Sequence, residues 1–332
     1  MSFFRDLSTV SARGPLVAAV LAASTLLAAC GGGDQKETFQ PNRIVTVGDE
    51  NSLINPDGRQ YSVNNIIPVT STNPNGIACI NNPIWVEYVA ADYGLPFGEC
   101  RGAATADTKK YALMLAQQGA KVADVAATLT TVSPALNGND LVTLMAGAHD
   151  LLEMVEANPT PNATERTAMV NAATARGEAL GDVVLAIIGT GARVLVSTVH
   201  KLGTTPAVAA QGLDGVLLND MSSAFNNGLN ARMATVPSGG GRNGAILEAD
   251  QLVEAYYRNN DSSYTSIINR TTAACLTGGL PTPDAQLNTC TTTDSTTASP
   301  VYYLWAGRIQ FGAITQGLLG QQAVQRIRAN PL

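Results

Sequence analysis

Short apolar or β-branched runs alternate along the chain with longer stretches in which apolar residues recur every three or four positions. The first pattern belongs to buried strands and the second to amphipathic helices. Arg43–Val47 predicts a strand ending at Gly48, and Leu141–Ala146 a buried strand stopped by Gly147. Arg193–Val199 predicts a third strand. Helices are predicted from about Pro83 to Tyr93, over Ala120–Leu129, from Asp150 to Ala157 and along Ala163–Ile188. Leu218, Met221, Phe225 and Leu229 mark another helix, and Ile314, Leu318, Val324 and Ile327 a terminal one. Strand and helix in alternation point to an α/β domain with a mainly parallel sheet and helices on both faces.

Composition supports a packed core. Of 332 residues, 45% are apolar and 14% charged, against about 25% charged in an ordinary soluble domain. Basic residues number 20 and acidic residues 26, and the longest basic run is Lys109-Lys110, so the chain lacks the charge footprint of a nucleic-acid binder. Two histidines far apart, His149 and His200, argue against a histidine-rich metal site, and no motif calls for a cofactor. His200, beside Lys201, reads as a surface loop residue, and Trp85 and Trp305 as core aromatics. Gly189-Thr190-Gly191 precedes its strand and so reads as a helix stop, not a phosphate loop, while Ser238-Gly239-Gly240-Gly241 reads as a flexible turn.

The N-terminus changes the picture. Arg5 and Arg13 precede an apolar run from Leu16 to Ala23, and Leu27-Ala28-Ala29-Cys30 closes it before Gly31-Gly32-Gly33. The run is too short to span roughly 30 Å of hydrocarbon as a helix. The segment resembles the lipobox of bacterial lipoproteins. The resemblance implies cleavage before Cys30 and acyl chains (palmitate or similar) on Cys30, which would anchor the protein to a lipid bilayer without spanning it. Gly31 in place of Asp implies the outer membrane, facing the periplasm or the cell surface. Four cysteines remain, as near pairs Cys79 with Cys100 and Cys275 with Cys290. Three connectivities are open. The two local pairings are favoured, because each closes a short segment rich in turn residues, worth ~3 kcal/mol apiece in the chain-entropy model. Nothing near them in sequence marks a reactive thiolate, so both read as structural.

Three apolar runs end in informative residues, at the strand ends where open α/β sheets keep their functional crevice. These are Val47-Gly48-Asp49-Glu50-Asn51-Ser52-Leu53, Ala146-Gly147-Ala148-His149-Asp150-Leu151-Leu152 and Tyr303-Leu304-Trp305-Ala306-Gly307-Arg308-Ile309-Gln310. Between the first two lies Ala116-Gln117-Gln118-Gly119-Ala120-Lys121-Val122. In this order the four segments resemble the blocks of the SGNH or GDSL hydrolase family of esterases and lipases. The resemblance runs from about Arg43 to Ile327, with support from Trp85-Val86-Glu87-Tyr88-Val89-Ala90, the stretch Thr198 to Pro206, and Phe225-Asn226-Asn227-Gly228-Leu229-Asn230-Ala231-Arg232. It implies a three-layer α/β/α sandwich. Residues 1–29 then read as a signal peptide, 30–42 as lipidated tether and 43–330 as the SGNH-like domain, with a disulfide-bearing excursion from the core around 271–300.

The family's catalytic side chains are replaced. Its Gly-Asp-Ser block has Glu50 at the nucleophile position, after Gly48 and Asp49. Its Gly-Gly pair is Gln118-Gly119, its Gly-x-Asn-Asp is Gly147-Ala148-His149-Asp150, and its Asp-x-x-His carries Ala306 and Gln310 or a neighbour. Acyl transfer needs a hydroxyl nucleophile, a base in reach and oxyanion donors, and Ser52 as a substitute nucleophile lacks a base. Glu50, His149 and Gln310 are expected to meet in the crevice, Glu50 and His149 as a carboxylate–imidazole pair that raises the imidazole pKa. With Gly119, Gln118, Gly147, Asp49 and Ser52 around them, they form the candidate site. The first functional expectation is a non-hydrolytic domain binding an acyl, glycan or protein ligand in the envelope. The second is a hydrolase with an altered site, and the third a purely structural lipoprotein.

Overall fold

The computed structural model describes residues 39–70, 76–101, 112–235, 243–258, 266–292 and 299–329. The lipobox and Cys30, and the turn Ser238–Gly241, lie outside the described residues. From Gln40 onward the chain forms one compact unit. Its centre is a five-stranded, wholly parallel sheet of β1 (Arg43–Gly48), β2 (Leu113–Met114), β3 (Asp140–Met145), β4 (Arg193–Ser197) and β5 (Gly244–Leu247), in the order β2-β1-β3-β4-β5.

Strand side chains alternate between the two faces. Val45, Val47, Val142, Leu144, Val194 and Val196 join one core cluster, and the positions between them face the other way. The first face packs under α2 (Val122–Leu129), α3 (Ala148–Ala157), α4 (Ala163–Gly189) and α6 (Gly215–Met233), with α5 (Pro206–Gln211) at the edge of this group. The second carries α8 (Ala313–Ala329), which packs on β5 and on α1 (Trp85–Asp92) and α7 (Ala249–Arg258). This is the expected three-layer α/β/α sandwich. Strands β1 and β3 run in register from Arg43 opposite Asp140 to Gly48 opposite Met145. Arg43 and Asp140 lock the start of that pair at 3.0 and 2.7 Å, while Thr46 and Thr143, opposite each other, share a buried hydroxyl–hydroxyl bond of 2.7 Å on the second face.

Both local disulfides form, Cys79 with Cys100 and Cys275 with Cys290. Within the region 271–300, the described residues 271–292 pack on the rest of the domain. Strand β6 (Asn269–Ala273) pairs with β9 (Tyr303–Trp305), and the short hairpin of β7 (Leu276–Thr277) and β8 (Leu280–Pro281) follows. Cys275, Leu287 and Cys290 are buried with Tyr61, Val63, Tyr303, Ala306 and Ala313 in a second cluster, so this segment is a wall of the domain. Residues 293–298 lie outside the described residues. Gly189-Thr190-Gly191 ends α4 as expected, Thr190 and Gly191 donating back to Ile187 and Ile188.

His200 is not a surface residue. It is 3% exposed, its ring packed on Trp305 (5.3 Å between centroids) and edge-on to Phe311 (4.7 Å). Burial with no compensating charge drives its pKa down to about 3, so this imidazole is neutral. Trp85 and Trp305 are fully buried, as expected.

Candidate functional site

The strand order reverses direction at β1, so the chain diverges above the C-terminal ends of β1 and β3, where open parallel sheets leave a crevice. Gly48 makes the exit from β1. Its φ is +126°, and a Cβ there would sit 1.9 Å from the Met145 carbonyl oxygen, so only glycine lets the chain turn this close to β3. Asp49 then caps a single helical turn, Glu50–Ser52, its carboxylate accepting from Asn51 N at 3.0 Å. The turn is tied to the C-terminal segment. Asn51 Oδ1 accepts from Phe311 N at 3.0 Å, and its carbonyl accepts from Gln316 Nε2 at 3.0 Å.

The segment after β2 is laid along β1 by Leu115 N to Thr46 O and Gln117 N to Gly48 O, both 2.8 Å. This brings Gly119, at φ +71°, over the turn, and its N–H donates to Glu50 Oε2 at 2.9 Å. From the first turn of α3, His149 Nε2 reaches both oxygens of Glu50 at 2.9 Å. From the loop after β9, Gln310 Nε2 donates to Glu50 Oε1 at 2.7 Å. Glu50, His149, Gln310 and Gly119 therefore converge, and the carboxylate that the other three surround is fully buried. Gln118 turns aside, accepting from the Tyr61 hydroxyl at 3.1 Å. Ser52 also turns away, its hydroxyl accepting from Trp85 Nε1 at 3.1 Å.

Asp150 serves the frame of the site. It accepts from Val122 N at 3.0 Å, capping α2, and from Arg176 Nη1 at 3.1 Å. Gly147 opens α3, with Phe225 and Val199 where a side chain would go.

The electrostatics follow from burial and pairing. Burial alone would disfavour the His149 cation, but its hydrogen bond to Glu50 and the charges of Glu50, Asp49 and Asp284 outweigh this and raise its pKa to about 9. Burial likewise opposes ionisation of Glu50, yet His149, Gly119 and Gln310 hold its pKa below the usual carboxylate range. Asp49 is pushed up to about 7, by burial first and the adjacent Glu50 charge second. At neutral pH the centre is thus an imidazolium–carboxylate pair with both carboxylate oxygens engaged by donors.

Sequence reasoning missed Tyr61, Asp284 and Arg308. Arg308 grips Asp284 through two contacts of 3.2 and 2.9 Å, and the Asp284 charge is felt at His149. Tyr61 and Asp284 lie outside the motif blocks, while Arg308 stands inside the last one but is linked to the site only through Asp284, 24 positions away, which the fold brings to it. Among the described residues, the grouping of metal-ligating atoms is Cys79, Glu87 and Cys100, away from the crevice and with both sulfurs held in a disulfide.

No family model matches the chain, and no curated protein matches it. Solved structures do. The chain is similar to a lipolytic protein of the G-D-S-L family from Veillonella parvula, at 12% identity and TM-score 0.44, over 85% of this chain and 96% of that one. It is similar to phospholipase A1 from Streptomyces albidoflavus, at 17% identity and TM-score 0.44, over 86% and 98%. A catalytic mutant of the acetylxylan esterase Axe2 from Geobacillus stearothermophilus aligns at 11% identity and TM-score 0.46, over 88% and 96%.

Proposed function

We propose that this chain is a non-hydrolytic, esterase-like domain of an envelope lipoprotein, acting as a partner-binding or structural module. The observation that carries this reading is the state of Glu50. Where ester hydrolysis would need a hydroxyl and an empty oxyanion pocket, a fully buried carboxylate accepts from Gly119 N, His149 Nε2 and Gln310 Nε2 together. Donors already satisfied by a resident anion have no capacity left for a developing one. Ser52 offers no replacement, because its hydroxyl is engaged by Trp85. A crevice filled by its own side chains favours a ligand held on the outer surface of the domain over an acyl group held inside.

Lipidation at Cys30 would tether the domain to the outer membrane through a short glycine-bearing segment. Its partner would then be an envelope protein or glycan within reach of the bilayer.

The test is hydrolysis of p-nitrophenyl acetate, butyrate and octanoate by the purified full chain. The expected result is no turnover above buffer. Turnover that persists in Ser52→Ala and disappears in Glu50→Gln would overturn the proposal and assign the altered site to catalysis.

A further inference from the structure

The two disulfides sit in different surroundings. Cys275 and Cys290 are both buried, at 2% and 6% exposure, inside the second core cluster. Cys79 is equally buried, at 3%, but Cys100 is only half-buried and lines an open, largely apolar cavity of about 250 Å³ with Ile80, Tyr88, Pro96 and Phe97. Glu87, in the first turn of α1, lines the same cavity. Its Oε2 accepts from Ile84 N at 2.7 Å and from Gln60 Nε2 at 2.5 Å. Its Oε1 lies 2.9 Å from Cys100 Sγ. A disulfide sulfur carries no proton, so a hydrogen bond across that gap uses the proton of the carboxyl. Burial supplies it, lifting the Glu87 pKa to about 8 against the opposing pull of Ile84 N and Gln60.

We propose that Cys79–Cys100 is a thiol–disulfide exchange site, with Cys100 the exchanging sulfur, Cys79 its buried resolving partner and Glu87 the residue that moves the proton of Cys100. The co-reactant is a thiol that enters by the cavity. In the reducing direction its thiolate attacks Cys100 Sγ, the Cys79–Cys100 bond breaks, and Cys79 leaves with the electron pair and takes a proton from water. A second thiolate attacks the outer sulfur of the mixed disulfide. Cys100 then leaves with its electron pair and accepts the proton of Glu87, which water restores. Two thiols are oxidised to one disulfide, and the protein cystine gains two electrons. Run backwards, the Glu87 carboxylate takes the Cys100 proton and the thiolate attacks the disulfide of a partner. Cys275–Cys290, with both cysteines buried among Leu287, Tyr303 and Ala306 and bordering a smaller, polar cavity of about 130 Å³ lined by Thr277, Thr282 and Gln286, is the internal control.

Glutathione is the probe. Each pair falls within one tryptic peptide, residues 60–101 and residues 271–308, so alkylation after timed exposure and mass spectrometry reads the two separately on the full chain in detergent. At pH 7, the 60–101 pair is expected to reduce at least tenfold faster than the 271–308 pair. Its rate per glutathione thiolate should fall several-fold between pH 7 and 9, as Glu87 loses its proton. Glu87→Gln should slow exchange at least fivefold and flatten that pH profile. Equal rates for the two pairs, or a wild-type rate per thiolate that does not change with pH, would overturn the proposal. Glu87→Asp, which keeps the carboxyl, should retain the profile that Glu87→Gln flattens, and a profile unchanged in Glu87→Gln would overturn the assignment of the proton to Glu87.

Discussion

His149 Nε2 lies 2.9 Å from both carboxylate oxygens of Glu50, a bidentate contact between residues 99 positions apart in the chain. The pairing assigns a proton. It fixes Nε2 as a donor, keeps the imidazole charged at neutral pH, and leaves Glu50 free to accept from Gly119 and Gln310 as well.

The chain has only two histidines, which makes that proton directly observable. In a two-dimensional NMR titration of imidazole C–H signals, one resonance should titrate near pH 9 and belong to His149. The other, His200, should stay at its neutral shift from pH 5 upward, since burial holds its pKa at about 3. In Glu50→Gln the His149 midpoint should fall below 7, because burial then acts with less opposition. A midpoint that stays near 9 would mean that the Asp49 and Asp284 charges, not Glu50, hold the proton.

Stability should peak on the mildly acidic side. His149 has a folded pKa raised from 6.5 to about 9, so its contribution is full below 6.5 and is lost as pH rises through 9. A shift of that size is worth on the order of 3 kcal/mol. Asp49 and Glu87, raised to about 7 and about 8, act in the same sense, since the folded chain binds more protons than the unfolded one over that range. Glu50, whose pKa is lowered, acts oppositely and costs stability only below its unfolded value of 4.5. Calorimetry should find the highest Tm at about pH 4 to 4.5, where the opposing effect of Glu50 balances those of Asp49 and Glu87, and a steady decline from there to pH 9. His149→Asn should flatten the part of that decline above pH 6.5.

How far all this could be read beforehand differs by element. Strands β1, β3 and β4 carry continuous apolar runs, and the sequence segments placing Glu50, His149 and Gln310 end or follow such runs, so their convergence followed from block order alone. Strand β2 is two residues long, too short to show a period, and β5 emerges directly after a glycine-rich stretch. His200 reads as a surface residue because its neighbour Lys201 is polar, while the residues that bury it, Trp305 and Phe311, come from more than a hundred positions away. Tyr61 is hidden in the same way, 57 positions from Gln118, and Arg308, although inside a block, gains its place only through Asp284. Glu87 stood inside a recognised segment, but its approach to Cys100 depends on how α1 is oriented by its cap.

Asp150 is the one acidic residue of its block to survive, and its bonds are architectural. It holds the N-terminus of α2 through Val122 and engages Arg176 of α4. Asp150→Ala should cost about 1–2 kcal/mol, the usual loss for a helix cap. Since α2 follows the loop that bears Gly119, hydrogen exchange should quicken at Val122 and Gly119 before the rest of the sheet. Unchanged protection there would show that the loop is held by Leu115 and Gln117 alone.

Glu50 itself offers the sharpest contrast. Truncation in Glu50→Ala removes one partner of a buried ion pair and leaves the His149 cation, Gly119 N and Gln310 Nε2 facing a cavity, which should cost about 3–5 kcal/mol. Adding His149→Asn removes the orphaned cation, so the double variant should recover a part of that loss, about 1–3 kcal/mol as a coupling energy. Glu50→Ser with His149→Asn and Gln310→His goes further, placing a hydroxyl, an amide and an imidazole where the carboxylate and its donors now stand. The Gly119 N–H, already aimed at this spot, becomes available to a substrate oxyanion. The triple variant should hydrolyse p-nitrophenyl acetate above the wild-type background, with the gain abolished when Gln310 is left unchanged. If the folded triple variant shows no turnover, more than these three side chains separates the present crevice from a working one.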